Sequence, residues 1–120
     1  MNFRLSDEQQ EWQVYCRKFA REVIRPVAAK HDREQSVPWE IIKEARKWDL
    51  HGLDYLQKMA SDPEGMFGVI YAEEMHWGCA GIALAIQGGS LAAAPLAARV
   101  PSADFAASSS NTSPTEGLEK

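Results

Sequence analysis

Hydrophobic residues near the start of the chain recur with the period of an α-helix. Their spacings are four, three, four and four residues, which places them on one face of a helix with about 3.6 residues per turn. The charged residues Arg17, Lys18, Arg21 and Glu22 fall mostly off this face. The pattern predicts a first helix that buries a stripe formed by Trp12, Cys16, Phe19, Val23 and Val27.

Both ends of this helix carry sequence signals. Ser6 is followed three residues later by Gln9, the spacing of a capping box, in which each residue satisfies a backbone N–H of the other. Asp7 and Glu8 place negative charge at the positive end of the helix dipole. Pro26 has no N–H to donate within a helix, so it predicts a kink or a break there.

A second helix is predicted to begin at Pro38, because proline is favourable at the first helical position. Gly52 is its expected terminator, and the segment that follows, with a short apolar patch at Leu53, Tyr55 and Leu56, is interpreted as a connector. The predicted inner face of this helix consists of Trp39, Ile42, Ala45 or Arg46, and Leu50.

Asp62, Pro63 and Glu64 combine a cap, a first-turn proline and a first-turn acid, so a third helix is predicted to begin there. A fourth, alanine-rich helix is expected from about residue 80 to residue 98, weakened at residues 88–89 and bent near Pro95. The apolar residues of the third helix are Phe67, Ile70, Tyr71, Met75 and Trp77.

Strand signals are almost absent, since no segment alternates apolar and polar residues and no Asn-Gly or Asp-Gly turn occurs. The predicted fold is therefore all-α, an up-and-down arrangement of about four helices in one domain over residues 1–98. Residues 99–120 are rich in serine and poor in aromatic residues, and such a composition predicts a disordered tail.

Composition narrows the class of protein further. Lysine and arginine number 13 against 17 acids, a formal charge of −4, so nothing in the composition indicates a nucleic-acid partner. Cys16 and Cys79 are far apart in the chain and are expected to be reduced thiols of a cytoplasmic protein. The first residues lack the apolar core of a secretory signal.

Residues 78–98 are uncharged, but their bulk is alanine, which favours a buried helix over a membrane span.

Two local motifs suggest chemistry. Glu73 and His76 form a Glu-x-x-His pair, a spacing found in di-metal helix bundles, although those use two such pairs; a hydrogen-bonded or solvated face is favoured, and no metal site is assigned. Gly88, Gly89 and Ser90 follow no predicted strand, which argues against a phosphate loop. Small residues there would allow close approach either of a slender ligand or of another helix.

The order of these segments resembles the N-terminal helical domain of the acyl-CoA dehydrogenases. Three motifs carry the resemblance: an opening helix with an Arg-Glu, aliphatic, Pro ending, a second helix with a Gly-Leu exit, and a Glu-Glu helix followed by a small-residue helix. The matching segments are residues 5–9 (LSDEQ), 19–32 (FAREVIRPVAAKHD), 37–43 (VPWEIIK), 49–53 (DLHGL), 71–75 (YAEEM) and 80–86 (AGIALAI).

The resemblance implies an FAD-dependent oxidation of an acyl-CoA thioester to its 2,3-enoyl form, in which a glutamate removes the α-proton and the flavin accepts the β-hydride. It implies that these helices are mostly scaffold and that two segments contribute to the wall of the acyl-chain pocket. No residue of this chain matches the catalytic glutamate. The implied wall residues are Tyr71, Glu74, Met75, Ile82, Ile86, Gln87, Gly88 and Leu91.

Departures from the family pattern raise alternatives. The segments that would correspond to the flavin-contacting β-domain and the C-terminal bundle have no match, and the sequence after Ala98 changes abruptly. These departures suggest a truncated or frame-shifted product, inactive alone and without bound FAD. The second hypothesis is a stand-alone helical interaction module that docks on a full-length flavoprotein relative, with homo- or hetero-association through exposed helix faces. The third is a peptide that associates with membranes through residues 78–98.

Overall fold

The computed structural model describes residues 4–97 of the chain. The described residues divide into two units between residues 90 and 91, and the packing reported below lies within the first. The described residues contain no strand, which confirms the all-α prediction, but they form six α-helices and one π-helical segment rather than about four helices. These elements are α1 (Asp7–Phe19), the π segment (Ala20–Ile24), α2 (Arg25–Glu34), α3 (Trp39–Lys47), α4 (Leu53–Ala60), α5 (Met66–Gly78) and α6 (Ala80–Ala97).

The start of α1 agrees with the sequence prediction. The Ser6 hydroxyl accepts a hydrogen bond from the backbone N–H of Gln9 at 3.2 Å, and the Gln9 side chain accepts one from the Ser6 N–H at 3.0 Å. These reciprocal bonds complete the capping box and satisfy two N–H groups that the first helical turn cannot satisfy itself.

The irregularity predicted at Pro26 takes the form of the π segment just before it. Pro26 lies in the first turn of α2, and the backbone angles at Phe19, Ile24 and Arg25 are helical, so the chain continues as a helix through the π segment into α2. A π turn adds one residue relative to an α turn, so the buried face moves by one position beyond Phe19. Ala20 and Ile24 are fully buried, while the predicted Val23 and Val27 are only partly buried.

Helix α3 differs from its prediction in the face that it buries. Trp39 was expected to face inward, but it is 65% exposed. Ile41 is buried in place of the predicted Ile42, which is only partly buried, whereas Ala45, one of two predicted alternatives, is buried. Ile41 and Ala45 lie four residues apart and therefore on one face. Leu50, beyond the end of α3, is fully buried as predicted.

The predicted connector after Gly52 contains helix α4. Gly52 has φ 105° and precedes the helix, a backbone conformation that glycine adopts without strain. Helix α5 begins at Met66, later than predicted, because the chain first turns through Gly65 with φ 70°. The predicted cap nevertheless operates: the Asp62 carboxylate accepts hydrogen bonds from the N–H groups of Glu64 at 3.1 Å and Phe67 at 2.8 Å.

The core forms where α5 crosses α1 and the π segment. Gly78 allows the closest approach, since a β-carbon at this position would lie 3.1 Å from both the Ala20 and the Ile24 side chains. The Trp12 indole N–H donates to the Phe67 carbonyl at 3.0 Å and links the other ends of the two helices. Within residues 4–97, no helix combines the length and hydropathy needed to cross a bilayer. The predicted tail, residues 99–120, lies outside the described residues.

Candidate functional site

The implied wall residues lie on two successive helices that meet at a sharp junction. Gly78 ends α5, and Cys79, with extended backbone, separates it from α6. The Cys79 N–H donates to the Met75 carbonyl, and the Cys79 carbonyl accepts from the N–H of Ala83. One residue therefore closes one helix and opens the next, which fixes where the two wall segments lie.

Five of the eight wall residues lie together inside the core of the domain. Tyr71 and Met75 are fully buried on α5, and Ile82 and Ile86 are buried on α6. The fifth is Glu74, which is 1% exposed. In this structure the chain itself covers all five, so any contact with an acyl chain would require other surfaces or a rearrangement.

Tyr71 is held by polar and aromatic contacts. Its hydroxyl donates to the Leu50 carbonyl at 2.9 Å, and its ring lies 4.5 Å from that of Tyr55, centroid to centroid. Burial raises the pKa of Tyr71 well above its usual value and raises the pKa of Tyr55 to about 12. Both phenols are therefore protonated at neutral pH; the Tyr71 hydroxyl donates a hydrogen bond within the core, and the Tyr55 ring packs against the Tyr71 ring.

Among the described residues, Glu74 is the charged side chain that is buried in the core, and its partners come from α1. Its carboxylate accepts a hydrogen bond from the Gln13 amide at 3.1 Å and forms an ion pair with the Arg17 guanidinium. The bond with Glu74 raises the pKa of Arg17. Arg17 and Arg25 also lie 4.1 Å and 4.2 Å from the centre of the Trp77 ring, a cation–π arrangement. Glu74 thus ties α5 to α1.

The remaining three wall residues on α6 are more accessible. Gln87 is partly buried and Gly88 is exposed, and a β-carbon at Gly88 would meet nothing within 4 Å. Leu91 is 68% exposed. Buried and exposed positions are thus mixed among the eight residues, and their role as an acyl-chain wall stays a prediction.

Of the Glu73 and His76 pair, His76 forms a local hydrogen bond to the backbone. Both side chains are at least partly exposed, and His76 Nδ1 lies 2.7 Å from the Ala72 carbonyl oxygen, so this nitrogen must donate. In the described part of the chain, no three histidine, cysteine or acidic residues are grouped so that they could share a metal ion.

The two cysteines differ in their surroundings. Cys16 is fully buried, and burial raises the pKa of its thiol to about 12. Cys79 is partly buried and lines a cleft of about 320 Å³ that is also lined by His31, Ser36 and Ile82.

We expect a water-soluble thiol reagent to modify Cys79 in the native protein and to leave Cys16 unmodified. A thiolate is the reacting species, so a buried thiol with a raised pKa reacts slowly. Mass spectrometry of peptides after brief labelling measures the modification of each site, and Cys79→Ser should abolish native labelling. Equal labelling of Cys16 under native conditions would contradict the buried position assigned to it.

His51 contributes a pH dependence to stability. Its Nδ1 is buried without a hydrogen-bond partner. Burial, and secondarily the Arg46 charge, lower the pKa of His51 below 6.5, while a hydrogen bond to the backbone of Ile86 opposes the shift. A lowered folded-state pKa means that the unfolded chain binds the proton first. The folded state therefore loses stability as the pH falls through the pKa that His51 has in the unfolded chain and towards its lower pKa in the folded chain.

The test is to measure the denaturant concentration at the unfolding midpoint as the pH is lowered from about 7.5 to about 5.5. We expect this midpoint to fall more steeply for the native sequence than for the His51→Gln variant. His31 and His76 are present in both proteins, so the difference between the two slopes isolates His51. Equal slopes would show that His51 titrates alike in the folded and unfolded chains.

Carboxylates border the cleft beside α1 that could be compared with a flavin dinucleotide site. This cleft has aromatic walls, and its charged border consists of one cation, Lys58, and four carboxylates, those of Glu8, Glu11, Asp49 and Asp54. Such a border would repel the pyrophosphate of FAD. A second cleft is lined by Arg17, Lys18 and Arg21 together with Glu22 and Glu74, and Arg17 is paired there with Glu74.

Comparisons with known proteins agree with the fold. Residues 6–104 match the family described as "Acyl-CoA dehydrogenase, N-terminal domain". The chain is 35% identical over 102 residues to "Probable medium-chain specific acyl-CoA dehydrogenase 2, mitochondrial" of Caenorhabditis briggsae, a match covering 80% of this chain and 24% of the relative. It is 32% identical over 79 residues to "3-sulfinopropanoyl-CoA desulfinase" of Paraburkholderia xenovorans, covering 65% of this chain and 20% of the relative. The chain thus spans a quarter or less of the length of these relatives.

Proposed function

The chain belongs to the acyl-CoA dehydrogenase family as an N-terminal domain, and from this we propose that it serves as the helical scaffold, and part of the acyl-chain wall, of an enzyme that oxidises an acyl-CoA thioester to its 2,3-enoyl form. The observation that carries the proposal is the 35% identity to a medium-chain acyl-CoA dehydrogenase across 80% of the chain. In such an enzyme FAD supplies the hydride acceptor.

The chain's own residues would position the substrate rather than react with it. The Tyr71–Leu50 hydrogen bond and the Glu74–Arg17 ion pair fix α5 from two sides. Beside α5, α6 presents Gly88 with open space around it. An apolar helix surface without a protruding side chain suits an alkyl chain, and the family resemblance selects Gly88 as the contact point on this helix.

FAD would be held by other parts of the enzyme, so the chain alone should be inactive and should retain no flavin. Desalting the purified chain after incubation with FAD, and then recording its absorbance, tests this directly. A stoichiometric yellow complex would contradict this part of the proposal.

A chimera tests the acyl-wall role. Residues 1–98 of this chain would replace the matching segment of a medium-chain acyl-CoA dehydrogenase, and the KM for a medium-chain thioester would be measured. We expect Gly88→Leu to raise the KM about tenfold or more, which corresponds to about 1.4 kcal/mol. Gly81→Leu is the matched control, because Gly81 lies on the same helix, is also exposed and also has open space around it. Equal effects at both glycines would contradict the assignment of Gly88.

The second candidate function is an interaction module that docks on a full-length relative. The exposed apolar residues Trp39 and Val37, 65% and 54% exposed, favour it. Titration of the purified chain into a purified full-length acyl-CoA dehydrogenase, followed by sedimentation, distinguishes the two functions. Binding that is abolished by Trp39→Ser would support the interaction module. Absence of binding would leave the scaffold role as the remaining candidate function.

The cytoplasmic location stays a prediction, and the nematode relative carries "mitochondrial" in its name.

A further inference from the structure

One face of α1 and the adjoining π segment is exposed and carries an ordered pattern of charge. Its residues are separated by four, three, four and three positions. The first four lie in α1, where this is the spacing of a single helical face, and the fifth, Arg21 in the π segment, lines one groove with Val14 and Lys18. Val14, at the centre of this face, is 68% exposed. We call this the α1 face, and it consists of Asp7, Glu11, Val14, Lys18 and Arg21.

The charges of the α1 face are separated by sign. Asp7 and Glu11 precede Val14, whereas Lys18 and Arg21 follow it. Within residues 4–97 none of these four charged side chains forms an ion pair; Lys18 makes a cation–π contact with Trp48 at 5.9 Å. The face therefore offers two acids, an apolar centre and two bases.

Such a face is complementary to itself when two copies run antiparallel. If Val14 of one copy lies against Val14 of another, Glu11 comes opposite Lys18 and Asp7 comes opposite Arg21. A two-fold axis repeats each pair, so four oppositely charged contacts flank one apolar contact. From this complementarity we propose that two copies of the chain associate through antiparallel contact of their α1 faces, an isologous interface.

The shape of the surface is compatible with this pairing. Val14 and Lys18 lie between two shallow grooves, one also lined by Asp7, Glu11 and Tyr15, and the other also lined by Arg21, Glu22 and Glu74. A ridge between grooves is the geometry in which helices pack against each other. Glu22 brings a further acid to the second groove, next to Arg21, and Arg17 is neutralised there by Glu74.

A single helix pair buries less surface than a standard protein interface, so the dimer is weak and its charge pairs are sensitive to salt. The full chain should show concentration-dependent dimerisation in sedimentation equilibrium at low ionic strength. Raising the salt concentration to about 1 M, where charges are screened beyond about 3 Å, should weaken the dimer.

Charge reversal tests the pairing directly. Glu11→Lys alone and Lys18→Glu alone each replace attraction by repulsion at both symmetric contacts, so each should raise the dissociation constant about tenfold or more, which corresponds to about 1.4 kcal/mol. A mixture of the two variants should form a heterodimer, because one copy then carries lysine at both positions and the other carries glutamate at both. Circular dichroism verifies that each variant keeps its helices.

Glu40→Lys is the matched control, since Glu40 is exposed on α3 and its reversal changes the net charge as Glu11→Lys does. The control should dimerise like the native sequence. A monomer at all concentrations would overturn the proposal. A dimer insensitive to salt and to both α1 reversals, or a mixture that forms no heterodimer, would also overturn it and assign association to another surface.

Discussion

Gly78→Ala should destabilise the domain, whereas Gly68→Ala should stabilise it, although both glycines lie in α5. At Gly78 the new methyl group would lie 3.1 Å from the side chains of Ala20 and Ile24, while at Gly68 its nearest neighbour would be Met59 Sδ at 3.6 Å, an ordinary contact. Alanine favours the helical backbone by about 0.5–1 kcal/mol over glycine. Overpacking a closely packed core costs about 1–3 kcal/mol, and at Gly78 this cost exceeds the helical gain.

Denaturant unfolding of the two variants beside the native sequence measures both effects. The two changes differ in sign, so the comparison does not depend on the exact magnitudes. Stabilisation by Gly78→Ala would contradict the close crossing of α5 with the π segment. The same substitution at both positions keeps the change in side-chain volume equal.

Arg17→Met should destabilise the domain more than the double change Arg17→Met with Glu74→Met. Removing Arg17 leaves the Glu74 carboxylate buried with only the Gln13 amide as a partner, and an unpaired buried charge is strongly destabilising. Replacing both groups by apolar side chains removes that charge, and such paired replacements are often neutral or stabilising. Glu74→Met alone should cost less than Arg17→Met, because the Arg17 side chain is 36% exposed and can turn towards water.

The four proteins of this double-mutant cycle, unfolded in denaturant at one pH, provide the test. We expect the Glu74→Met change to stabilise the Arg17→Met background. If it instead lowers the stability of that background, Glu74 does not depend on Arg17 for its neutralisation, and the proposed tie between α5 and α1 is wrong.

The sequence predicted the helices whose ends carry strong local signals. The capping box at Ser6 and the Asp62 cap both exist as hydrogen bonds. Helix α4 was missed because its eight residues follow directly on Gly52 and show too short a pattern to distinguish from a connector. At the π segment the sequence predicted only a kink or a break. The shift of the buried face by one residue could not be predicted, because it depends on packing against α5.

The site was less predictable than the fold. Tyr71 and Met75 fall on one helical face, and their burial follows from that pattern. The partners of Glu74 could not be identified, because Gln13 and Arg17 lie 61 and 57 residues away in the chain. Arg17 borders the buried stripe of α1, and this position was the one feature of the sequence that could have indicated Arg17 as a partner for a buried acid. Trp39 was misplaced because a large aromatic residue at the start of a helix resembles a core residue.

Flavin reduction by a medium-chain acyl-CoA in the chimera tests the central claim most directly. Residues 1–98 of this chain would stand in place of the matching segment of a medium-chain acyl-CoA dehydrogenase, and the loss of flavin absorbance would be followed after mixing with the thioester under anaerobic conditions. We expect a folded, flavin-containing chimera whose flavin is reduced as in the parent enzyme. A folded chimera that retains flavin but is not reduced by the thioester would contradict the proposed role of the chain.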